Sequence, residues 1–286
     1  MDAQCVLCHL QRNIDIAAQF GDEASQRAFA LDLMRLHLSV PEGVSSPYLG
    51  PGTNELFQKH FGIGPDRYQE EKEQSNRFVL ERLDQLRAAA QGSADPVFAG
   101  LQLSILGNYL DFAALPGKVR FEDLEKMLAD ALKMELSKDT YRQFCRDLTK
   151  GKTLLYLTDN AGEIGFDRIF AEEIQRAYPH LAITFCVRGQ ITQNDATRKD
   201  AQLVGIPFPV IDNGNGVAGT EISMLSPEAK AALESADVVI AKGMGNTETM
   251  FGCGYNVYYA FLVKCQRFVD RFQRPMLTPM LVKERA

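Results

Sequence analysis

The chain has 286 residues, of which 45% are apolar and 24% charged, and such a composition excludes disordered, collagen-like and coiled-coil proteins. The length suffices for one large domain or two ordinary domains with a sizeable core. Because 37 Asp and Glu outnumber 31 Lys and Arg, the net charge is −6, which argues against nucleic-acid and membrane partners but allows a small anionic substrate.

Targeting signals and disulfides are not indicated by the sequence. Apolar runs fall short of the roughly 18 residues of a membrane span. Residues 1–5 lack the basic and apolar segments of a signal peptide. The six cysteines are too scattered for a secreted disulfide framework. We therefore expect a cytoplasmic protein, while its oligomeric state is not predicted.

The first 150 residues have helical periodicity. Apolar spacings of three and four predict helices over 28–38, 77–86, 121–132 and 141–148, with an N-terminal cap region at Ser137. A connection rich in Pro and Gly, residues 41–51, separates the first two helices. This part of the chain is predicted to be a helical N-terminal region, residues 1–150.

The pattern changes after Gly151 to short apolar runs that alternate with helical stretches. The runs predict strands over 153–157, 182–187, 208–211, 237–241 and 257–263. The stretches between them predict helices over 163–178, 195–204 and 227–235. We therefore predict an α/β fold: the helical region packs on a doubly wound α/β/α sandwich with a mostly parallel sheet, residues 151–286.

Polar residues follow four of the predicted strands, at the edge where open parallel sheets bind ligands. Asp159 and Asn160 follow the first strand, and Asp195 lies in the loop after the second. Carboxylate and amide oxygens without a histidine cluster suit a hard divalent cation such as Mg²⁺ or Mn²⁺. These three residues are the predicted metal site, although Asp and Asn at strand ends also cap helices and form turns.

Lys242 follows the fourth predicted strand and precedes a loop that contains Gly243 and Gly245. A lysine, backbone amides and the start of a helix together suit phosphate oxygens. We therefore predict that Lys242 and this loop bind a phosphate beside the metal.

Two glycine patterns favour a different ligand. Residues 214–219 match a dinucleotide-binding fingerprint, but Ser226 and Pro227 are a better start for the helix that must follow. The pattern at Gly243 has Glu248 where the third glycine would stand. Both patterns are weak evidence, and they leave open a nucleotide- or S-adenosylmethionine-dependent transferase.

The N-terminal sequence Cys5-Val-Leu-Cys8-His9 has several interpretations. The motif Cys-x-x-Cys-His fits a c-type haem site, which the absence of an export signal disfavours. A structural zinc would need distant partners, and a redox pair would lack its usual strand context. Two unremarkable thiols are the simplest interpretation.

Taken together, six short motifs resemble the metal-dependent damage-control phosphatases, once catalogued as a domain of unknown function, and in particular their prokaryotic subgroup with an N-terminal Cys-x-x-Cys. The resemblance spans residues 5–265, with the motifs in the family's order. They are Cys5-x-x-Cys8, Gly107-Asn108-x-x-Asp111, Asp159-Asn160-Ala-Gly-Glu163, Arg188-Gly189, Asn194-Asp195-Ala-Thr197 and Lys242-Gly243-x-Gly-Asn246.

The resemblance implies hydrolysis of phosphate esters with Mn, Mg, Ni or Co. It implies metal ligation by Asp159, Asn160 and Asp195, and catalytic roles for Asp159 and Lys242. Substrate contacts are implied for one further set of residues. They are Asn108, Asp111, Glu163, Arg188, Lys242, Gly243 and Asn246. Cys5 and Cys8 are left as a second metal site or a redox pair.

The leading hypothesis is therefore a phosphatase that acts on small phosphorylated metabolites, such as sugar phosphates or damaged phosphometabolites. The first alternative is the transferase described above. The second is a binding protein without catalysis, in which Cys5 and Cys8 report the redox state.

Overall fold

A computed structural model describes residues 1–115 and 117–284. These residues form thirteen α-helices. They are α1 (Ala3–Ala17), α2 (Glu23–Ser39), α3 (Gly50–Phe61), α4 (Gln69–Leu80), α5 (Leu83–Gln91), α6 (Pro96–Gly107), α7 (Phe121–Asp130), α8 (Lys138–Lys150), α9 (Glu163–Ala177), α10 (Arg198–Leu203), α11 (Pro227–Ser235), α12 (Gly243–Met250) and α13 (Gln266–Phe272). None of the helices in the described ranges is long and apolar enough to cross a membrane.

The second half of the chain contains one six-stranded sheet, with helices α9 to α13 between its strands. Its strands are β1 (Thr153–Leu157), β2 (Ala182–Val187), β3 (Val210–Asp212), β4 (Val238–Lys242), β5 (Val257–Leu262) and β6 (Pro279–Lys283). The strand order is β3-β2-β1-β4-β5-β6, and β6 alone of these six pairs antiparallel to its neighbour. The predicted α/β class with a mostly parallel sheet is confirmed.

The order of strands places a switch point between β1 and β4. The chain runs outward from β1 to β2 and β3, then returns to β4 on the other side of β1. In such sheets the loops beyond β1 and β4 diverge and leave a crevice between them. Asp159, Asn160 and Lys242 lie at the carboxyl ends of these two strands, so the topology positions the candidate site.

The helical half and the sheet share one hydrophobic core. α6 is its centre, because ten of its residues are buried and it packs against α9. A side chain at Gly100 would meet Phe170 Cα at 3.0 Å, so a glycine lets the two helices approach closely. The sequence did not predict α6, since a helix that is apolar on all sides has no amphipathic period. The division of the chain at residue 150 stays a prediction.

Local signals account for most element boundaries. The Ser137 hydroxyl accepts a hydrogen bond from the Thr140 N–H at 3.2 Å and caps α8, as predicted. The Ser226 hydroxyl caps α11 in the same way. The fingerprint at 214–219 opens no helix, which removes the strand–turn–helix context that dinucleotide binding needs.

Other elements also differ from the predictions, and helices α1, α3 and α13 were not predicted. The predicted helix 77–86 is two helices, α4 and α5, and the break at Glu81 and Arg82 allows each to pack on α9. The predicted connection 41–51 ends earlier, because Gly50 and Pro51 form the first turn of α3. A proline is tolerated there, since backbone N–H groups of the first turn have no partner within the helix. β6 was not predicted, since it is a short, half-buried edge strand.

Candidate functional site

The site is a cavity at the switch point of the sheet. Its volume is about 120 Å³. Asp159, Asn160 and Asp195 line it together with residues of the helical half. The three residues predicted as metal ligands are therefore brought to one cavity wall.

Backbone contacts hold the two ligand-bearing loops together. Asn160 and Asp195 form an antiparallel bridge. The two are distant in sequence, since Asn194, the residue before Asp195, lies 34 positions after Asn160. The Ala196 N–H donates to Asp159 O at 2.7 Å. Because the backbone is paired on both sides, the positions of the two carboxylates are fixed by the fold rather than by flexible loops.

In Asp159 and in Asp195, one carboxylate oxygen accepts hydrogen bonds from described residues and the other does not. Asp159 Oδ2 accepts from Asn108 Nδ2 at 3.0 Å and from Asn160 Nδ2 at 2.8 Å. Asp195 Oδ2 accepts from Arg188 Nε at 2.7 Å. Within the described ranges no group donates a hydrogen bond to Asp159 Oδ1 or Asp195 Oδ1, and Arg188 Nη2 is 3.7 Å from the former. Two carboxylate oxygens are thus available to a ligand.

The electrostatics of this pair favour a cation. Burial raises the pKa of Asp159 well above its usual value, and the charges of Glu163 and Asp195 raise it further. Burial likewise raises the pKa of Asp195 to about 6, against the opposing charge of Arg188. A divalent cation would relieve both effects, because it offsets the buried negative charge directly.

The donor set fits a hard divalent ion. Asp159 Oδ1, Asp195 Oδ1 and Asn160 Oδ1 are the oxygen ligands that Mg²⁺ and Mn²⁺ prefer. Asn160 Oδ1 accepts from Asn194 Nδ2 at 3.0 Å, which orients the amide and leaves its second lone pair. Across the described part of the chain, no three His, Cys, Asp or Glu side chains form a metal cluster, so this mixed set is the candidate centre.

Gly243 is required by its contact with Asp159. Its φ is +78°, and a Cβ built there would lie 2.0 Å from Asp159 Oδ2. The start of α12 therefore packs directly against the carboxylate, and the predicted helix after Lys242 is present. Because this glycine accommodates Asp159, the motif here is explained without a nucleotide.

Lys242 lies behind the cavity and not in its wall. Its side chain is fully buried, and Nζ lies 2.9 Å from Glu163 Oε1, 3.1 Å from Asp167 Oδ1 and 2.7 Å from Ser104 O. Burial lowers the pKa of Lys242, but the two carboxylates outweigh it and the pKa is raised overall. The structure thus differs from the predicted phosphate contact: Lys242 neutralises Glu163 and Asp167.

Most other predicted substrate contacts form a buried polar layer with Lys242. Asn108 Nδ2 also donates to Glu163 Oε2 at 2.9 Å, while Asn108 Oδ1 accepts from the Leu262 N–H at 3.0 Å. Asn246 Nδ2 donates to the carbonyls of Thr158 and Lys242. Glu163, Arg188 and Asn246 are absent from the cavity lining, so the layer holds the metal-site residues in place.

Asp111 does line the cavity, and it reveals a lysine that the sequence analysis did not select. Asp111 Oδ2 accepts from Lys264 Nζ at 2.6 Å, and Lys264 Nζ also donates to Asn108 O. Lys264 follows β5, so the strand-end argument that selected Lys242 could have found it. Arg12 and Arg67 also line the cavity, but no sequence signal links them to it.

The two N-terminal cysteines lie on α1. Cys5 is buried and Cys8 exposed, and both are free thiols. Burial raises the pKa of the Cys5 thiol to about 12, which disfavours the thiolate needed for metal binding or exchange. Their role as a second metal site or redox pair stays a prediction.

Comparisons with known proteins agree over the whole chain. The model of the damage-control phosphatase ARMT1-like domain matches residues 1–276. An uncharacterized protein of Methanocaldococcus jannaschii is 31% identical over 277 residues, which cover 92% of this chain and 88% of the relative. A damage-control phosphatase of Archaeoglobus fulgidus is 35% identical over 209 residues, 70% of either chain.

A solved structure shows the same fold. The crystal structure of a DUF89 family protein from Pyrococcus horikoshii has a TM-score of 0.83 and 24% identity, and the alignment covers 100% of this chain and 99% of that chain. The family match extends over both the helical region and the sheet that together enclose the cavity. The chain therefore belongs to the ARMT1-like damage-control phosphatase family.

Proposed function

We propose that the protein is a metal-dependent phosphatase that hydrolyses phosphate monoesters of small metabolites, sugar phosphates or damaged phosphometabolites among them. The observation that carries the proposal is the pair of available oxygens, Asp159 Oδ1 and Asp195 Oδ1, which face one cavity beside Asn160. The family membership supports hydrolysis of a phosphate ester, and two relatives bear the name damage-control phosphatase.

Asp159, Asn160 and Asp195 would hold Mn, Mg, Ni or Co. Such a cation, when bound, neutralises charge on a phosphoryl group and orients the attacking nucleophile. Arg188 fixes Asp195 through its 2.7 Å hydrogen bond, and Asn108 fixes Asp159. These contacts keep the carboxylates preorganised, so little reorganisation accompanies the reaction.

The size and charge of the cavity support a small anionic substrate. A cavity volume of about 120 Å³ supports a small molecule as the substrate. Arg12 and Arg67 bring positive charge to a protein whose net charge is −6. Local charge in a cavity can oppose the overall sign, so the proposed partner is a phosphorylated metabolite rather than nucleic acid or membrane.

The alternatives lose their structural support. A transferase would use the turns at Gly214 or Gly243, but no helix starts within residues 214–219 and Asp159 packs against Gly243. A binding protein that reports redox state would need a reactive thiol; burial disfavours ionisation of Cys5, so of this pair the exposed Cys8 would have to supply it.

A screen of metals against substrates tests the proposal. Purified protein, freed of metal and reloaded with Mn, Mg, Ni or Co, should release phosphate from members of a phosphosugar panel. Asp195→Asn should lower kcat/KM by roughly a hundredfold or more, because a cation ligand is lost. Asp139→Asn, which alters an exposed carboxylate on α8, is the matched control. Release without added metal, or full activity of Asp195→Asn, would contradict the proposal.

A further inference from the structure

The cavity has a basic part that comes from the helical half. Arg12 belongs to α1, and its Nη1 donates to Ala113 O at 3.4 Å. Arg67 lies between α3 and α4, where its Nη1 donates to Asn54 Oδ1 at 3.2 Å and its guanidinium stacks 4.6 Å above the Phe57 ring. Both arginines are thus held by neutral partners of the helical region.

Neither arginine forms an ion pair with a described residue. Within residues 1–115 and 117–284, no Asp or Glu forms an ion pair with Arg12 or Arg67, and the buried Nε of each has no hydrogen-bond partner. Glu248 also lines the cavity, but it is paired with Arg267 at 3.1 Å. Both side chains line the cavity without an ion pair of their own, so their charge is available to an anionic ligand there.

The two charges also lie close enough to affect each other. Burial lowers the pKa of Arg67, and the charge of Arg12 contributes to the same lowering. Two like charges that lie close together without an ion pair are an unfavourable arrangement in the free protein. An anion between them would remove this repulsion, and the planar guanidinium matches the geometry of carboxylate and phosphate oxygens.

The position of the arginines indicates which anion they meet. The phosphate to be hydrolysed belongs at Asp159 and Asp195, which come from the strand ends. Arg12 and Arg67 are anchored to Ala113, Asn54 and Phe57 of the helical half, so they face the remainder of the substrate.

We infer that Arg12 and Arg67 bind a second oxyanion of the substrate, a carboxylate or another phosphate, so that preferred substrates carry one anionic group besides the phosphate that is hydrolysed. This inference rests on the proposed function, because it names the class of substrate for the same cavity.

Matched open-chain substrates test it. Three compounds form a three-carbon series. Glycerol phosphate has no second anionic group, phosphoglycerate carries a carboxylate, and glycerol bisphosphate carries a second phosphate. Sorbitol phosphate, phosphogluconate and sorbitol bisphosphate repeat the comparison at six carbons. In at least one series, the doubly anionic compounds should have a kcat/KM about tenfold or more above that of the singly anionic parent. Comparison of the carboxylate compound with the bisphosphate shows which second anion is preferred.

Arg12→Gln and Arg67→Gln should remove this preference, because kcat/KM should fall more for the doubly anionic compounds than for the singly anionic parent. Arg67→Lys keeps the charge but loses the forked donors, so it should retain part of the preference. Arg35→Gln, an exposed arginine of α2 outside the cavity, is the control. Equal kcat/KM for all compounds in both series, or a preference that survives both Gln variants, would overturn the inference.

Binding without turnover separates this inference from the proposed function. Phosphogluconate should raise the Tm of metal-free protein, and Arg12→Gln and Arg67→Gln should lose that rise. If no phosphate is released with any metal but the Tm rise depends on the arginines, the anion site stands and the phosphatase proposal fails. If phosphate is released and neither the Tm rise nor the preference depends on the arginines, the inference alone fails.

Discussion

Asn108 Nδ2 donates a hydrogen bond to Asp159 Oδ2 at 3.0 Å, which joins the end of α6 to the loop after β1. The same side chain contacts Glu163 and accepts the Leu262 N–H, so it links three elements of the fold. A single buried amide thus couples the helical half to the predicted metal site.

Asn108→Ala should lower the free energy of unfolding by about 2–4 kcal/mol, because the Leu262 N–H and two carboxylates lose a buried partner. Urea unfolding measures the change. Gln74→Ala, at an exposed position of α4, should cost less than about 0.5 kcal/mol and serves as the control. An Asn108→Ala protein as stable as wild type would show that water replaces the amide without cost.

Gly243→Ala should impair metal binding as well as stability. The variant strains a backbone with φ +78° by roughly 1–2 kcal/mol, and its methyl group would also displace Asp159. Gly254→Ala is a matched control, since Gly254 has φ +79° and an open space around it. Calorimetric titration with Mn²⁺ should show weaker affinity for Gly243→Ala alone, whereas equal affinities for the two variants would refute a steric role.

Lys242→Met should destabilise the protein by about 3–5 kcal/mol, because Glu163 and Asp167 lose their buried counter-charge. Lys242→Met combined with Asp167→Asn should recover part of the loss in a urea titration. Lys230→Met, on the exposed side of α11, should change little. If Lys242 instead contacted substrate phosphate, the single variant would raise KM at unchanged stability.

His9 should make the stability depend on pH. Burial lowers the pKa of His9 from 6.5 to about 3, so the unfolded chain binds a proton that the folded chain rejects. The contribution of His9 is therefore complete above pH 6.5 and is lost as the pH falls towards 3, by about 2 kcal/mol at pH 5. His9→Gln should show a smaller decrease between pH 7 and 5 in urea titrations. A parallel decrease in both proteins would exclude His9 as its source.

Local sequence patterns predicted strands β1 to β5 and the edge of the sheet at which the candidate site lies. The runs at β1 and β2 match their predicted bounds, because short, mostly apolar segments occur there between polar turns. Asp159, Asn160 and Asp195 were selected because strand ends of a parallel sheet meet at one edge, and the cavity lies there.

Other features were beyond such patterns. α6 lacks a period because it is buried all round, and β6 forms only by pairing with β5. Lys242 ends β4 and Lys264 follows the neighbouring β5, and only their surroundings distinguish them. Lys242 neutralises two buried carboxylates, whereas Lys264 binds Asp111 at the cavity.

By itself the sequence determined the α/β class, the edge of the sheet that carries the site and the residue types suited to a divalent cation. It could do so because strand periodicity and the chemistry of oxygen ligands are local properties. Only the tertiary structure decided which side chains face the cavity, since burial and charge pairing depend on residues distant in sequence. It placed Lys242 in the interior and brought Arg12 and Arg67 to the cavity wall.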